Sequence, residues 1–156
     1  MSKLPITITT LVLLFCTTLS HSSESLIDDI AKREKVSSDE VRNSIENGCD
    51  SGVTPYMSAC MHYHWVGEDI KLNRAYQTLM KQLGTKAAKL KLVKAQHAWL
   101  AFRNAACEFD SDGMSSGTGY SVLYKGCLAS MTTERTTKLN EYLKCQDSGC
   151  PGTGFE

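Results

Sequence analysis

Apolar residues recur at intervals of three and four through most of this chain, and no segment alternates apolar with polar residues at period two. That pattern predicts helices and no sheet. Over residues 56–83, Trp65, Asp69, Leu72, Tyr76, Leu79 and Leu83 follow alternating steps of four and three, the seam of a helix lying along a neighbour, and Gly84 ends the run. A second long helix is expected over 86–108, with Val93, Gln96, Leu100, Arg103 and Cys107 on its seam and Lys86, Lys89, Lys91 and Lys94 on a solvated face. The third, over 121–144, turns Leu128, Met131, Arg135, Leu139 and Tyr142 inward. Ahead of these, residues 25–48 read as a helical hairpin. Leu26, Ile27 and Ile30 stripe its first helix, Ser38, Asp39 and Glu40 open the second, and Gly48 closes it. The expected fold class is an all-α bundle of three longer helices plus this hairpin.

The first 22 residues have a different character. Lys3, an uncharged stretch over 4–16 and small residues at Thr18, Ser20 and Ser22 follow the order of a secretory signal. The stretch is shorter than the roughly 20 residues a spanning helix needs, and Thr7, Thr9 and Thr10 dilute it. Cleavage is therefore expected, leaving no membrane span and a periplasmic or secreted chain. Cys16 follows Phe15, where lipid attachment requires a small residue. Removing the leader leaves Cys49, Cys60, Cys107, Cys127, Cys145 and Cys150, an even set that an oxidising compartment converts to disulfides. Neighbour pairing would join Cys49 to Cys60 and Cys107 to Cys127, each at a helix junction, and Cys145 with Cys150 would close a small ring, although six cysteines allow other connectivities. The bundle is thus read as small and disulfide-stapled. The tail over 146–156, rich in Gly and Ser, is expected to stay flexible.

Charge narrows the partners. With 17 basic and 17 acidic residues the chain sets up no general attraction for nucleic acid or anionic lipid. The wording of residues 30–42 is similar to the first half of a DNA-binding helix-turn-helix, but an exported, neutral chain does not meet DNA.

Polar side chains stand at seam positions where apolar ones belong: Asp69, Gln96, Arg103 and Arg135. If buried they must satisfy one another, and a structural network is the expected role, since one carboxylate among arginines is simply kept ionised and lacks the second titrating group an acid–base site needs. His62 and His64 are two apart on a helix, which sends their rings to different faces, and His97 is remote, so no metal site is expected. No cofactor motif, Gly-x-Ser-x-Gly elbow or free cysteine nucleophile is present, and no enzyme is expected.

Gly48-Cys49, Met57-Ser58-Ala59-Cys60, Asp69-x-x-Leu72-Asn73-x-x-Tyr76, Gln96-x-x-Trp99-x-x-x-Arg103-x-x-x-Cys107, Cys127-Leu128 and Thr133-x-Arg135 with Leu139 occur in that order. Together they make a pattern that resembles the LprI-like lysozyme-inhibitor domain of bacterial exported proteins. The resemblance covers about residues 48–143 and implies a helical, disulfide-stapled domain; for the founding member it implies lysozyme inhibition. The division expected is a signal at 1–22, the hairpin at 23–48, the LprI-like domain at 49–145 and the tail at 146–156.

An inhibitor must present a rigid protrusion to a cleft bearing two carboxylates. The segment between Cys107 and Cys127 is the expected contact: Asp110, Asp112, Ser115, Ser116 and Tyr120 stand there among glycines, beside Glu108, above a stapled base. The alternative is an envelope adaptor that binds another periplasmic protein through the hairpin or through an exposed aromatic face at Tyr63 and Trp65.

Overall fold

The computed structural model describes residues 23–146 and 149–152; the leader, with Lys3 and Cys16, lies outside them. Helix α1 is seen over residues 23–34, followed by α2 (Ser38–Glu46), α3 (Thr54–Gln82), α4 (Lys86–Ser111), a single 3-10 turn (Asp112–Met114) and α5 (Tyr120–Lys144). The described residues are all-helical, with no strand among them.

The hairpin forms for local reasons. Ser37 caps α2 by accepting from the Glu40 amide while Glu40 reaches back to the Ser37 amide, a reciprocal box that satisfies two orphan donors. Its apolar residues Ile27, Ile30, Ala31 and Val41 close on Ala59 of α3, with Leu26, Val36, Ile45 and Tyr63 around them. After α2 the chain turns through Gly48 and Cys49 at φ of 66° and 64°. A side chain is disfavoured at such angles, and Cys49 is held there by its bond to Cys60 on α3.

The long helices bury a second cluster, Leu72, Ala75, Leu79, Leu83, Leu92 and Leu139, flanked by Tyr76, Trp99 and Tyr142. Each such leucine contributes about 1.5–3 kcal/mol relative to exposure. Thr85 caps α4 through the Ala88 amide at 3.1 Å, only a short turn separates it from α3, and α4 folds back so that its Arg103 reaches Asp69 of α3. Helices α3 and α5 run in the same direction and pack most extensively: Ser58 and Ser121, near their starts, lie 2.7 Å apart. The Cys107–Cys127 bond, with Cα atoms 5.5 Å apart, joins the end of α4 to the beginning of α5.

One expectation changes. Helix α4 continues past 108 to Ser111, whose buried hydroxyl donates to the Cys107 carbonyl, and α5 begins at Tyr120, so the connection shrinks to residues 112–119. A Ser- and Asp-rich stretch reads as loop, but the Cys107–Cys127 staple anchors the last turns of α4, and the Ser111 hydroxyl is accommodated on the helix's own backbone rather than opening a turn. In the described part of the tail, Cys145 is bonded to Cys150, which is buried, and Gly152 sits against the Leu83 side chain with no room for a Cβ. Ring closure supplies covalently the anchoring that composition lacks; residues 147–148 and 153–156 lie outside those described.

Candidate functional site

The end of the bundle where α4 meets α5 is a blunt tip fixed by Cys107–Cys127. Asp110, Asp112, Ser115 and Ser116 are exposed on it, and residues 108–124 contain three acids and no base. Tyr120 differs from the rest: it opens α5, half-buried, with its ring stacked on Tyr124 at 5.7 Å, so it braces the tip from one side. Burial, with the Glu108 carboxylate behind it, pushes the Tyr124 phenol up. Phe109, which the sequence reading passed over, is 81% exposed between Glu108 and Asp110. Phe102, two turns back on the same face of α4, is 62% exposed. The available signal was an aromatic off the seam register and flanked by acids.

The polar seam residues are brought together in two linked halves. Arg103 is buried and donates to Asp69 at 3.3 Å, to Thr132 at 3.1 Å and to the Asn104 side chain at 3.2 Å. Arg135 does not reach Asp69; its Nε donates to Gln96 Oε1 at 3.1 Å. Trp99 joins the halves, with the Arg103 guanidinium 5.2 Å and that of Arg135 5.8 Å from its ring centre, while Trp65 lies 6.0 Å from Arg103. Asp69 itself is 39% exposed, so water screens the pair and the low-dielectric premise applies to Arg103 alone.

A third polar group was invisible in the sequence. Glu34, at the end of α1, takes Lys125 Nζ at 2.6 Å and His62 Nδ1 at 2.9 Å on one oxygen and the Ser58 hydroxyl at 2.9 Å on the other. Its partners come from α3 and α5, and no periodicity links positions so far apart. Burial alone would raise the Glu34 carboxyl, but the hydrogen bonds from Lys125, His62 and Ser58 and the Lys125 charge outweigh it and hold it below the ordinary range. A serine beside a lysine suggests nucleophilic chemistry, yet Ser58 is buried, its proton goes to Glu34, and its oxygen meets Lys125 Nζ at 2.9 Å and Ser121 Oγ at 2.7 Å. With donor and acceptor capacity committed, the hydroxyl serves as a clamp across α1, α3 and α5.

The histidines separate as their spacing implies. His62 is buried, bonded to Glu34 and stacked on Trp65 at 5.6 Å, whereas His64 is exposed. His64 approaches Cys49 and Cys60, the one grouping of ligand-type atoms among the described residues, but both sulfurs are committed to their disulfide and offer no thiolate. The aromatic face expected at Tyr63 and Trp65 is not a free surface: Tyr63 packs into the hairpin core, and Trp65 lies beneath Arg103 with its Nε1 buried and unbonded. Among the described residues no helix is long and apolar enough to cross a membrane.

A family model described as "Lysozyme inhibitor LprI" matches residues 47–139, from the turn after α2 to the inner face of α5. A relative from Rhizobium meliloti (strain 1021), described as "Uncharacterized protein R02472", is 28% identical over 104 residues, covering 59% of this chain and 75% of its own. No solved structure matches.

Proposed function

The chain belongs to the Lysozyme inhibitor LprI family, and from that membership we propose that it is an exported protein that binds and inhibits a lysozyme through the stapled tip between α4 and α5. Three disulfides support export, since such bonds persist in oxidising compartments. The observation that carries the choice of surface is the tip itself: a projecting Phe109 ringed by acids, with no base over residues 108–124, on a base that cannot splay.

A lysozyme places two carboxylates across the scissile bond, so an inhibitor has to fill or cover that cleft. The exposed Ser115 and Ser116 hydroxyls provide small donors for carboxylates, Phe109 provides an apolar anchor, and Asp110 and Asp112 address basic residues around the rim. The net charge is zero, so attraction to a basic partner depends on this local field. Helical backbone on both sides of a short connection leaves little entropy to lose on docking.

The test is cell-wall lysis by lysozyme with and without the purified, oxidised chain. Asp110→Lys with Asp112→Lys should slow association, most at low salt where charges are least screened, and Ser115→Ala, Ser116→Ala and Tyr120→Ala should speed dissociation. Phe109→Ala should weaken inhibition by tenfold or more, as expected of an anchor worth about 2 kcal/mol. Undiminished inhibition by these variants, folded and oxidised, moves the site elsewhere. A parent chain that slows no lysozyme at micromolar concentration, where about −8 kcal/mol of binding shows, favours the adaptor reading, with the Phe102–Phe109 face of α4 replacing the covered Tyr63 and Trp65.

A further inference from the structure

At the opposite end of the bundle from the acidic tip lies a cavity of about 510 Å³, bounded by α4, the ends of α3 and α5, and the ring closed by Cys145–Cys150. Its apolar wall includes Leu79, Leu83, Ala88, Leu92 and Tyr142, and Pro151 and Gly152 form one side. Among the described residues, the charged groups lining it are Lys91 and Arg135. Among the described residues neither has a carboxylate within ion-pair distance, although Arg103, one turn of contact away across Trp99, has Asp69.

Arg135 is the informative residue. Its Nε is used by Gln96 and its guanidinium lies against Trp99, which leaves the two terminal nitrogens without an acceptor among the described residues at the edge of an apolar cavity. Such a fork matches a carboxylate bidentately. The volume falls within the range of small-molecule sites, about 300–1,000 Å³, and the combination, among the described residues, of an apolar wall with two cations and no acid selects a ligand with the same asymmetry. We propose that this cavity binds a single-chain anionic amphiphile, its acyl chain against Leu79, Leu83 and Leu92 and its carboxylate on Arg135 and Lys91. The site is separate from the tip and does not depend on lysozyme inhibition.

The probe is decanoate, titrated calorimetrically into the oxidised chain below its micelle threshold, with decyltrimethylammonium as the match of opposite charge. Decanoate should bind saturably, one per chain, with a micromolar dissociation constant, and the cationic analogue at least tenfold more weakly. Arg135→Gln should weaken decanoate at least tenfold. Because that change also touches Trp99, Lys91→Glu, on an exposed position, supplies an independent reading and should weaken it severalfold with the melting temperature unchanged. Ala88→Phe, which fills the cavity beside Gly152, should abolish binding while helicity by circular dichroism persists. Equal binding of both head groups, binding that survives Ala88→Phe, or no saturation at millimolar decanoate overturns the assignment.

Discussion

Glu34 makes the most demanding claim on the architecture, because its carboxylate ties the N-terminal hairpin to two helices of the family domain. It is only 16% exposed, and it holds Lys125 and His62, which are comparably buried. Glu34→Ala leaves the Lys125 ammonium with the Ser58 hydroxyl as its remaining partner. Stranding one charge of a buried pair costs about 3–5 kcal/mol, and the surviving Ser58 contact argues for the lower end, about 3 kcal/mol. For a domain of this size each kcal/mol shifts the melting temperature by about 3–5 °C, so a fall of about 10 °C is expected. Glu34→Gln, which keeps one acceptor oxygen, should fall about half as far. The acid dependence has a defined sign. The folded carboxyl is held below its unfolded value, so its contribution is complete above the unfolded value and disappears as pH falls through the folded one. The gap between parent and Glu34→Gln in thermal melts should therefore be widest at neutral pH and close on acidification below about pH 5. Hydrogen exchange should show faster opening over residues 23–48 in both variants. If Glu34→Gln melted within about 2 °C of the parent and the gap were flat with pH, the clamp would contribute nothing and the hairpin would be held by its apolar contacts alone.

Other outcomes follow from the same geometry. Arg103→Ala should lose about 2–3 kcal/mol in urea unfolding, from its stacking on Trp99 and its buried stem, whereas Asp69→Asn, on a screened carboxylate, should lose less than about 1 kcal/mol; equal losses would mean the pair acts as a buried unit. Replacing Cys107 and Cys127 together by serine opens a loop of sequence separation 20 and should lower unfolding stability by about 3 kcal/mol, with inhibition weakened even where circular dichroism reports a folded chain. Gly48→Ala, at φ of 66° in open space, should destabilise by about 1 kcal/mol through backbone strain alone, and an unchanged melting temperature would show that the turn relaxes freely.

Helix type and order were legible in the sequence, because a 3.6-residue period over a long segment is a local property that packing amplifies. Leu72, Leu79 and Leu139 announce their burial by register, and the cysteines announce neighbour pairing by standing at helix junctions. Register also flagged Asp69, Gln96, Arg103 and Arg135 as misplaced polar residues, but it carries no depth, so it could not say that Asp69 reaches water or that Arg135 turns to Gln96. Those outcomes depend on how far each helix stands from its neighbours. The length of the tip was decided by tertiary structure too, since the Cys107–Cys127 bond between α4 and α5 outweighs the loop preference of a Ser-, Asp- and Gly-rich stretch. Glu34, Ser58 and Lys125 are individually ordinary surface residue types, separated by 24 and 67 positions. Only the packing of α1 against α3 and α5 brings them within hydrogen-bond range and removes the water that would otherwise make their meeting inconsequential.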